Sequence, residues 1–273
     1  MTARLLITGA SGIVGTLLRP RLARPDRVLR LLDTEPPPPA AEGERVETVT
    51  ADVTDAAAMA AAMDGVGAVL HLAGLSGEDA WERILSVNID GTQKVLEAAR
   101  LAGVRRVVLA SSNHAVGFHP RAAGEAGDYL FPRPDGFYGV GKAALEALGS
   151  LYHDRYGLDV IALRIGSCFE RPSDVRMLAT WLSPDDCARL VEACLSAPDP
   201  GFRVAWGVSD NTRRWWSLEE ARALGYEPRD DAERYAAEVA AAAGEPGPGE
   251  PAAAYVGGVQ AWRTAGPEDP ARR

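Results

Sequence analysis

Two side chains four positions apart suggest chemistry: Tyr138 and Lys142, in the run Tyr138-Gly139-Val140-Gly141-Lys142. On a helix, positions i and i+4 share a face, so the phenol and the ammonium project the same way. A nearby cation stabilises a phenolate and draws its pKa down from about 10 toward neutrality. A tyrosine tuned in this way is a general base for oxidising an alcohol. The choice of lysine is unusual for this chain, because Lys94 and Lys142 are its only two lysines among 29 basic residues. An arginine does not substitute for a compact ammonium. Ser111-Ser112-Asn113-His114 follows an apolar run, where the Ser112 hydroxyl can hold a substrate oxygen beside Tyr138. Asn88, in the helical stretch Ser86-Val87-Asn88-Ile89, can order backbone or water for a proton relay.

A second motif lies near the start, in Thr8-Gly9-Ala10-Ser11-Gly12-Ile13-Val14-Gly15. It places a GxxGxxG spacing between a strand and a helix. Gly9 permits the tight turn, Gly12 a close backbone approach to a pyrophosphate, and Gly15 close helix–strand packing. The helix start, with Ser11, Ile13 and Val14 around it, offers free N–H groups and a positive dipole end to phosphates. Asp33 ends the next strand, where a carboxylate accepts from the ribose hydroxyls and repels a 2′-phosphate. That predicts NAD over NADP. Asp52-Val53 follows the third strand and fits the adenine edge, while Leu72-Ala73-Gly74 follows the fourth and fits the pyrophosphate and ribose. His71, within that fourth strand, reads as a satisfied core residue rather than a ligand.

These groups need elements to position them. Short apolar runs at 4–8, 27–32, 46–49, 67–72, 105–110 and 159–165 alternate with helical patterns at 12–23, 55–63, 80–101 and 137–156. Alternation of this kind predicts an α/β fold, a Rossmann-type doubly wound parallel sheet with ligands at the carboxyl ends of its strands. Residues 1–166 would form the dinucleotide-binding domain. Residues 167–273 would add a small, mainly helical C-terminal lobe, integrated with the first part. That lobe is expected to hold helices at 184–196, 217–224 and 230–243, one strand at 202–206, and a flexible Ala/Gly/Pro-rich tract at 240–254. The Pro- and Gly-rich loop at 119–136 is placed to cover the site.

Composition narrows the partners. Lys+Arg 29 against Asp+Glu 38 gives a net charge of −9, without the positive field that nucleic acids or anionic membranes attract. No apolar run approaches the ~20 residues of a membrane span, and the N-terminus shows no signal-peptide pattern. Three cysteines without a CxxC pair suit a reducing cytoplasm and a site without metal. His114 and His119 lack an evident third ligand, so hydrogen bonding is the expected role of His114.

Thr8–Gly15, Asp33, Leu72–Gly74, Asn88, Ser112 and Tyr138-xxx-Lys142 together resemble the extended short-chain dehydrogenase/reductase superfamily over roughly the first 165 residues. More narrowly the chain resembles the bacterial uronate dehydrogenases. This likeness rests on Ala110-Ser111-Ser112-Asn113-His114, on the run from Arg133 to Lys142, on Arg164-Ile165-Gly166-Ser167-Cys168 and on the segment from Arg176 to Ser183. Trp206-Gly207 and Trp215-Trp216 add to it. The resemblance implies NAD-dependent oxidation of a uronic acid at C1 to an aldarolactone, with Tyr138 as base, Lys142 as its modifier and ribose anchor, and Ser112 as the positioning hydroxyl. It implies cofactor contacts from Asn88, Tyr138, Lys142, Ile165 and Cys168. It implies sugar-acid contacts from Ser76, Ser112, Asn113, His114, Tyr138, Ser167 and Arg176, with Arg176 facing the carboxylate, and a homo-oligomer. Ser173-Asp174-Val175 departs from the family's pattern. Two other readings stay open: a nucleotide-sugar epimerase or dehydratase of the same superfamily, and a non-catalytic NAD-binding regulator.

Overall fold

Seven parallel strands form one sheet, in the order β3-β2-β1-β4-β5-β6-β9. The computed structural model describes residues 3–124, 127–243 and 254–261. The strands are β1 (Ala3–Thr8), β2 (Arg27–Asp33), β3 (Val46–Thr50), β4 (Ala68–His71), β5 (Arg106–Ser112), β6 (Asp159–Ile165) and β9 (Phe202–Gly207). A separate parallel pair joins β7 (Ser167–Cys168) to β8 (Trp181–Leu182). The helices are α1 (Ile13–Leu22), α2 (Ala56–Ala62), α3 (Trp81–Arg83), α4 (Gly91–Leu101), α5 (Arg121–Gly124), α6 (Phe137–Tyr156), α7 (Met177–Thr180), α8 (Pro184–Ser196), α9 (Glu219–Ala223) and α10 (Ala236–Ala243).

Side chains alternate across the sheet because the strand period is two. Leu5 and Ile7 of β1 join the core under α1 and α8, where Leu18, Leu22, Leu190 and Val191 pack. Leu6 faces the other way, into the core shared with Met59 of α2, Leu96 of α4 and Leu145 of α6. Both faces of the sheet are therefore covered, and central strands are apolar throughout. The chain leaves β1 toward β2 and β3 on one side and returns through β4, β5 and β6 on the other. This reversal opens a crevice at the carboxyl ends of β1 and β4, where such sheets bind ligands. His71 sits at that end of β4, fully buried, its Nδ1 2.7 Å from Thr8 Oγ1 and its Nε2 3.1 Å from Thr92 Oγ1.

Three features differ from the sequence expectation. The strand expected inside the C-terminal lobe is the seventh strand of the main sheet, paired with β6 from Val160↔Phe202 to Ile165↔Gly207. The one strand expected beyond Gly166 is joined by β7 and β8, each too short to show a period. The single helix expected at 80–101 is interrupted by a π-helical turn, Ile84–Asp90, which carries Asn88. Of the tract at 240–254, residues 244–253 lie outside the described residues.

Candidate functional site

At the carboxyl ends of β1, β2 and β4 lies a cleft of about 520 Å³. Its walls include Gly9, Ser11, Gly12, Ile13, Val14, Asp33, Asp52, Val53, Leu72, Ala73 and Gly74. Gly9 has φ +70°, and a Cβ there would fall 2.6 Å from Ala73 N, so the turn requires glycine. A Cβ on Gly15 would fall 2.6 Å from Ala10 O and Gly9 O, so the close approach at Gly15 is to the glycine turn rather than to the expected strand. A Cβ on Gly12 would meet Gly9 O at 3.3 Å and otherwise reach open space. Helix α1 starts there without a side-chain cap, leaving its first N–H groups to a ligand. Asp33 Oδ2 accepts from Ser11 N–H at 2.9 Å and Oδ1 from Thr34 N–H at 2.7 Å, which fixes the carboxylate at the cleft edge. Bare backbone for phosphates and a held carboxylate for hydroxyls fit a dinucleotide with a free ribose 2′-hydroxyl.

This cleft runs into a second cavity of about 320 Å³, with Ile13, Val14, Leu72, Gly74, Leu75 and Ser76 common to both. Ser112, Tyr138, Lys142, Ile165 and Cys168 line the second cavity. Helix α6 brings Tyr138 and Lys142 to one face, and β5 ends at Ser112 opposite them. Lys142 Nζ donates to Ala110 O at 2.6 Å and lies 5.5 Å from the Tyr138 ring centroid. Burial pushes the lysine down to about 8.

The electrostatics correct one expectation. Burial raises the Tyr138 phenol above its ordinary value. The hydrogen bond with Ser112 opposes that shift, and the charge of Asp135 adds to it. The expected lowering by Lys142 is not met. Its ammonium lies over the ring and is bound to a carbonyl, while the phenol pays for its own desolvation.

Asn88 is placed behind the wall rather than on it. Its Oδ1 accepts from Leu75 N–H at 2.8 Å and its Nδ2 donates to Leu75 O at 3.1 Å. It thus orders backbone, one of the two roles read from sequence, and both ends of the amide are occupied in doing so. Glu78 was not anticipated. Its carboxylate accepts from the N–H groups of Phe137 (2.9 Å) and Tyr138 (3.0 Å), pinning the start of α6 to the loop that carries Ser76. The two partners are 60 positions apart, and no local pattern announces the pair.

Of the residues expected to meet a sugar acid, Asn113, His114, Ser167 and Arg176 lie outside this lining. His114 N–H donates to Ser112 Oγ at 3.2 Å, and the imidazole stands edge-on to Tyr138 at 5.7 Å between centroids. Asn113 Nδ2 (3.1 Å) and Arg176 Nη2 (2.7 Å) both donate to Val256 O. Arg176 Nε is enclosed without a hydrogen-bond partner, and its guanidinium lies 5.5 Å from the Trp215 ring centroid. Burial lowers its pKa, opposed by the charges of Asp174 and Asp135. Ser167 is buried, its Oγ 3.0 Å from Thr180 Oγ1. The segment 254–261 that supplies Val256 is stitched to the site, since Val256 N–H donates to His119 O and Gly257 N–H to Gly117 O, each at 2.9 Å. Gly258 has φ +65°, and a Cβ there would fall 2.6 Å from Arg176 Nε. Within the stretch expected to cover the site, Asp128 O accepts from Arg164 Nη1 at 2.9 Å.

Known proteins share this architecture. Residues 5–199 match the model of the NAD dependent epimerase/dehydratase family. A uronate dehydrogenase of Pseudomonas putida is 45% identical over 267 residues, covering 97% of each chain. The crystal structure of a uronate dehydrogenase mutant from Agrobacterium tumefaciens, complexed with NAD, superposes with a TM-score of 0.89 at 40% identity, covering 95% of this chain and 97% of that one. A glucuronic acid dehydrogenase from Chromohalobacter salexigens gives 0.89 and 40%, covering 98% and 99%. With a match over more than half its length and full-length relatives of this kind, the chain belongs to the NAD dependent epimerase/dehydratase family.

Proposed function

We propose that the protein is an NAD-dependent uronate dehydrogenase that oxidises C1 of galacturonate or glucuronate to the aldarolactone. The observation that carries this reading is the meeting of two cavities at Ser112, Tyr138 and Lys142, in a chain similar to uronate dehydrogenases from end to end. The glycine turn and the start of α1 would hold the pyrophosphate, and Asp33 the adenosine ribose. When bound, NAD⁺ supplies the hydride acceptor and a positive charge.

The chain's own groups handle the proton. The C1 hydroxyl of the pyranose lies between Ser112 Oγ and Tyr138 Oη. Ser112 holds the oxygen, and Tyr138 Oη takes its proton. The Ser112 hydrogen bond favours phenolate against the burial that opposes it. Lys142 adds positive charge to the same wall. At the far end, Arg176 receives the uronate carboxylate, for which a planar guanidinium is suited. Val256 O already holds its Nη2, which fixes the guanidinium in place. Since the protein carries a net charge of −9, attraction for an anionic sugar must be local. Ser76, Asn113, His114 and Ser167 serve the sugar hydroxyls.

Two further parts belong to the proposal. A homo-oligomer is supported by the exposed apolar side chains Leu101, Leu151 and Tyr156 on α4 and α6. A cytoplasmic setting is supported by three buried free thiols; no described helix is long and apolar enough to cross a membrane.

The test is NADH formation with both uronates and with neutral aldoses. Rapid turnover confined to the uronates is expected, and equal rates with neutral aldoses would refute the assignment. Tyr138→Phe should lose at least roughly a thousandfold in kcat while binding NAD as before.

A further inference from the structure

Asp135 is fully buried, at 0% exposure, directly behind His114. Its two oxygens lie 2.8 and 3.1 Å from His114 Nδ1. A carboxylate can only accept, so the hydrogen of that contact sits on Nδ1. The other nitrogen, Nε2, then faces away from the carboxylate. Both oxygens share the single Nδ1–H, which fixes its direction, and the ring meets that of Tyr138 at 66°.

Asp135 is built in from two sides. A Cβ on either Gly117 or Gly257 would collide with its Oδ2. Gly117 ends the turn that carries His114, and Gly257 belongs to the segment whose Val256 carbonyl receives Asn113 and Arg176. A single carboxylate therefore touches both the turn that carries His114 and the segment that receives Asn113 and Arg176.

We propose that Asp135 is a positioning residue that acts through His114, holding it as the Nδ1–H tautomer so that Nε2 accepts a hydrogen bond from a hydroxyl of the bound sugar acid. A ring with the opposite tautomer would present a donor to that hydroxyl. Fixing the tautomer and the Nδ1–H direction beforehand spares the bound complex that ordering. The role presupposes the uronate reading above.

Asp135→Asn fits the same glycine-lined notch and removes the charge. Its amide can donate to Nδ1 and so release the tautomer. The test combines three measurements on Asp135→Asn, His114→Gln and the double variant. The uronate kcat/KM of Asp135→Asn should fall roughly 10–100-fold, as for loss of a charged hydrogen bond, with NAD affinity unchanged. In the His114→Gln background the same substitution should cost little more, because the carboxylate acts through the imidazole. Nitrogen-15 NMR of the histidine rings should show Nδ1–H for His114 in the parent and a changed tautomer in Asp135→Asn.

Losses that multiply in the double variant would overturn the inference, as would a His114 that carries its hydrogen on Nε2 in the parent. A uronate kcat/KM unchanged in Asp135→Asn would do the same. Failure of the parent protein itself to form NADH from uronates refutes the function; with an active parent, these outcomes bear on Asp135 alone.

Discussion

Lys142→Met should abolish turnover while removing a standing penalty on the fold. Lys142 is 6% exposed, and burial moves its pKa from 10.5 to about 8. At about 1.36 kcal/mol per unit, holding the ammonium in the folded protein costs about 3 kcal/mol. The sign follows from proton counts. Between about pH 8 and 10.5 the unfolded chain binds this proton and the folded one does not, so stability rises with pH there. Below about 8 both states are protonated, and the penalty is present in full. Methionine has no such term, and the other titrating groups are common to both proteins. The stability of the parent minus that of Lys142→Met should therefore rise by about 2–3 kcal/mol from pH 7 to pH 10. The Ala110 carbonyl loses its donor in the variant. That adds an offset of about 1–3 kcal/mol which does not depend on pH. Urea denaturation of the cofactor-free proteins at several pH values measures the difference. Parallel pH curves for the two proteins would refute the argument that burial, unrelieved by a carboxylate, sets the state of Lys142.

Arg176→Ala should raise the uronate KM by roughly 100-fold or more and leave the NAD KM nearly unchanged; steady-state kinetics with each substrate varied would show it, and equal effects on both would remove the carboxylate assignment. Asp33→Asn should weaken NAD and narrow the gap to NADP, since one oxygen no longer accepts from the Ser11 or Thr34 N–H group; paired titrations with the two cofactors read the ratio. His71 is held neutral, its pKa lowered to about 3 by burial and by the charge of Lys142. Between about pH 6.5 and 3 the unfolded chain binds this proton first, so stability complete above 6.5 is lost as pH falls, by up to about 5 kcal/mol. His71→Gln should flatten that acid limb in denaturation curves.

Much of the fold was legible because its signals are local. Asp159–Ile165, Phe137–Tyr156 and Pro184–Ser196 have the bounds read from sequence, the first a continuous apolar run and the other two long helical segments. The partner of β9 was not legible, since a strand's pattern states that a face is buried and not which neighbour it pairs with. The π-helical turn under Asn88 was hidden because one widened turn leaves the apolar spacing nearly unchanged. The same division holds in the site. Tyr138 and Lys142 are one helical turn apart, and the glycines of the first turn fall within seven positions. Asn113 and Val256 are 143 positions apart and meet through a backbone carbonyl, which no residue type reports. The Tyr138 shift runs opposite to the one its spacing predicts for a related reason: spacing reveals a neighbouring charge, but desolvation is a property of the assembled cavity.

The two buried cations beside Ser111 and Ser112 show why the lysine stands where it does. Arg164 is 2% exposed, and it cannot shed its proton. Its Nε and Nη2 donate to Glu146 at 2.8 and 2.7 Å, and the same carboxylate accepts from Ser111 Oγ at 2.6 Å. Glu146 is one helical turn beyond Lys142 on α6, the spacing at which a Lys–Glu pair forms. Arg164 and Ser111 occupy it instead. Had it paired with Lys142, the ammonium would be held charged, but its field at Tyr138 would be largely cancelled by the carboxylate. Among the described residues Lys142 donates to the Ala110 carbonyl alone, and burial lowers its pKa. An arginine in that place could not make this adjustment and would need the carboxylate that Arg164 holds. The stability lost at Lys142 and the charge kept near Tyr138 have the same cause.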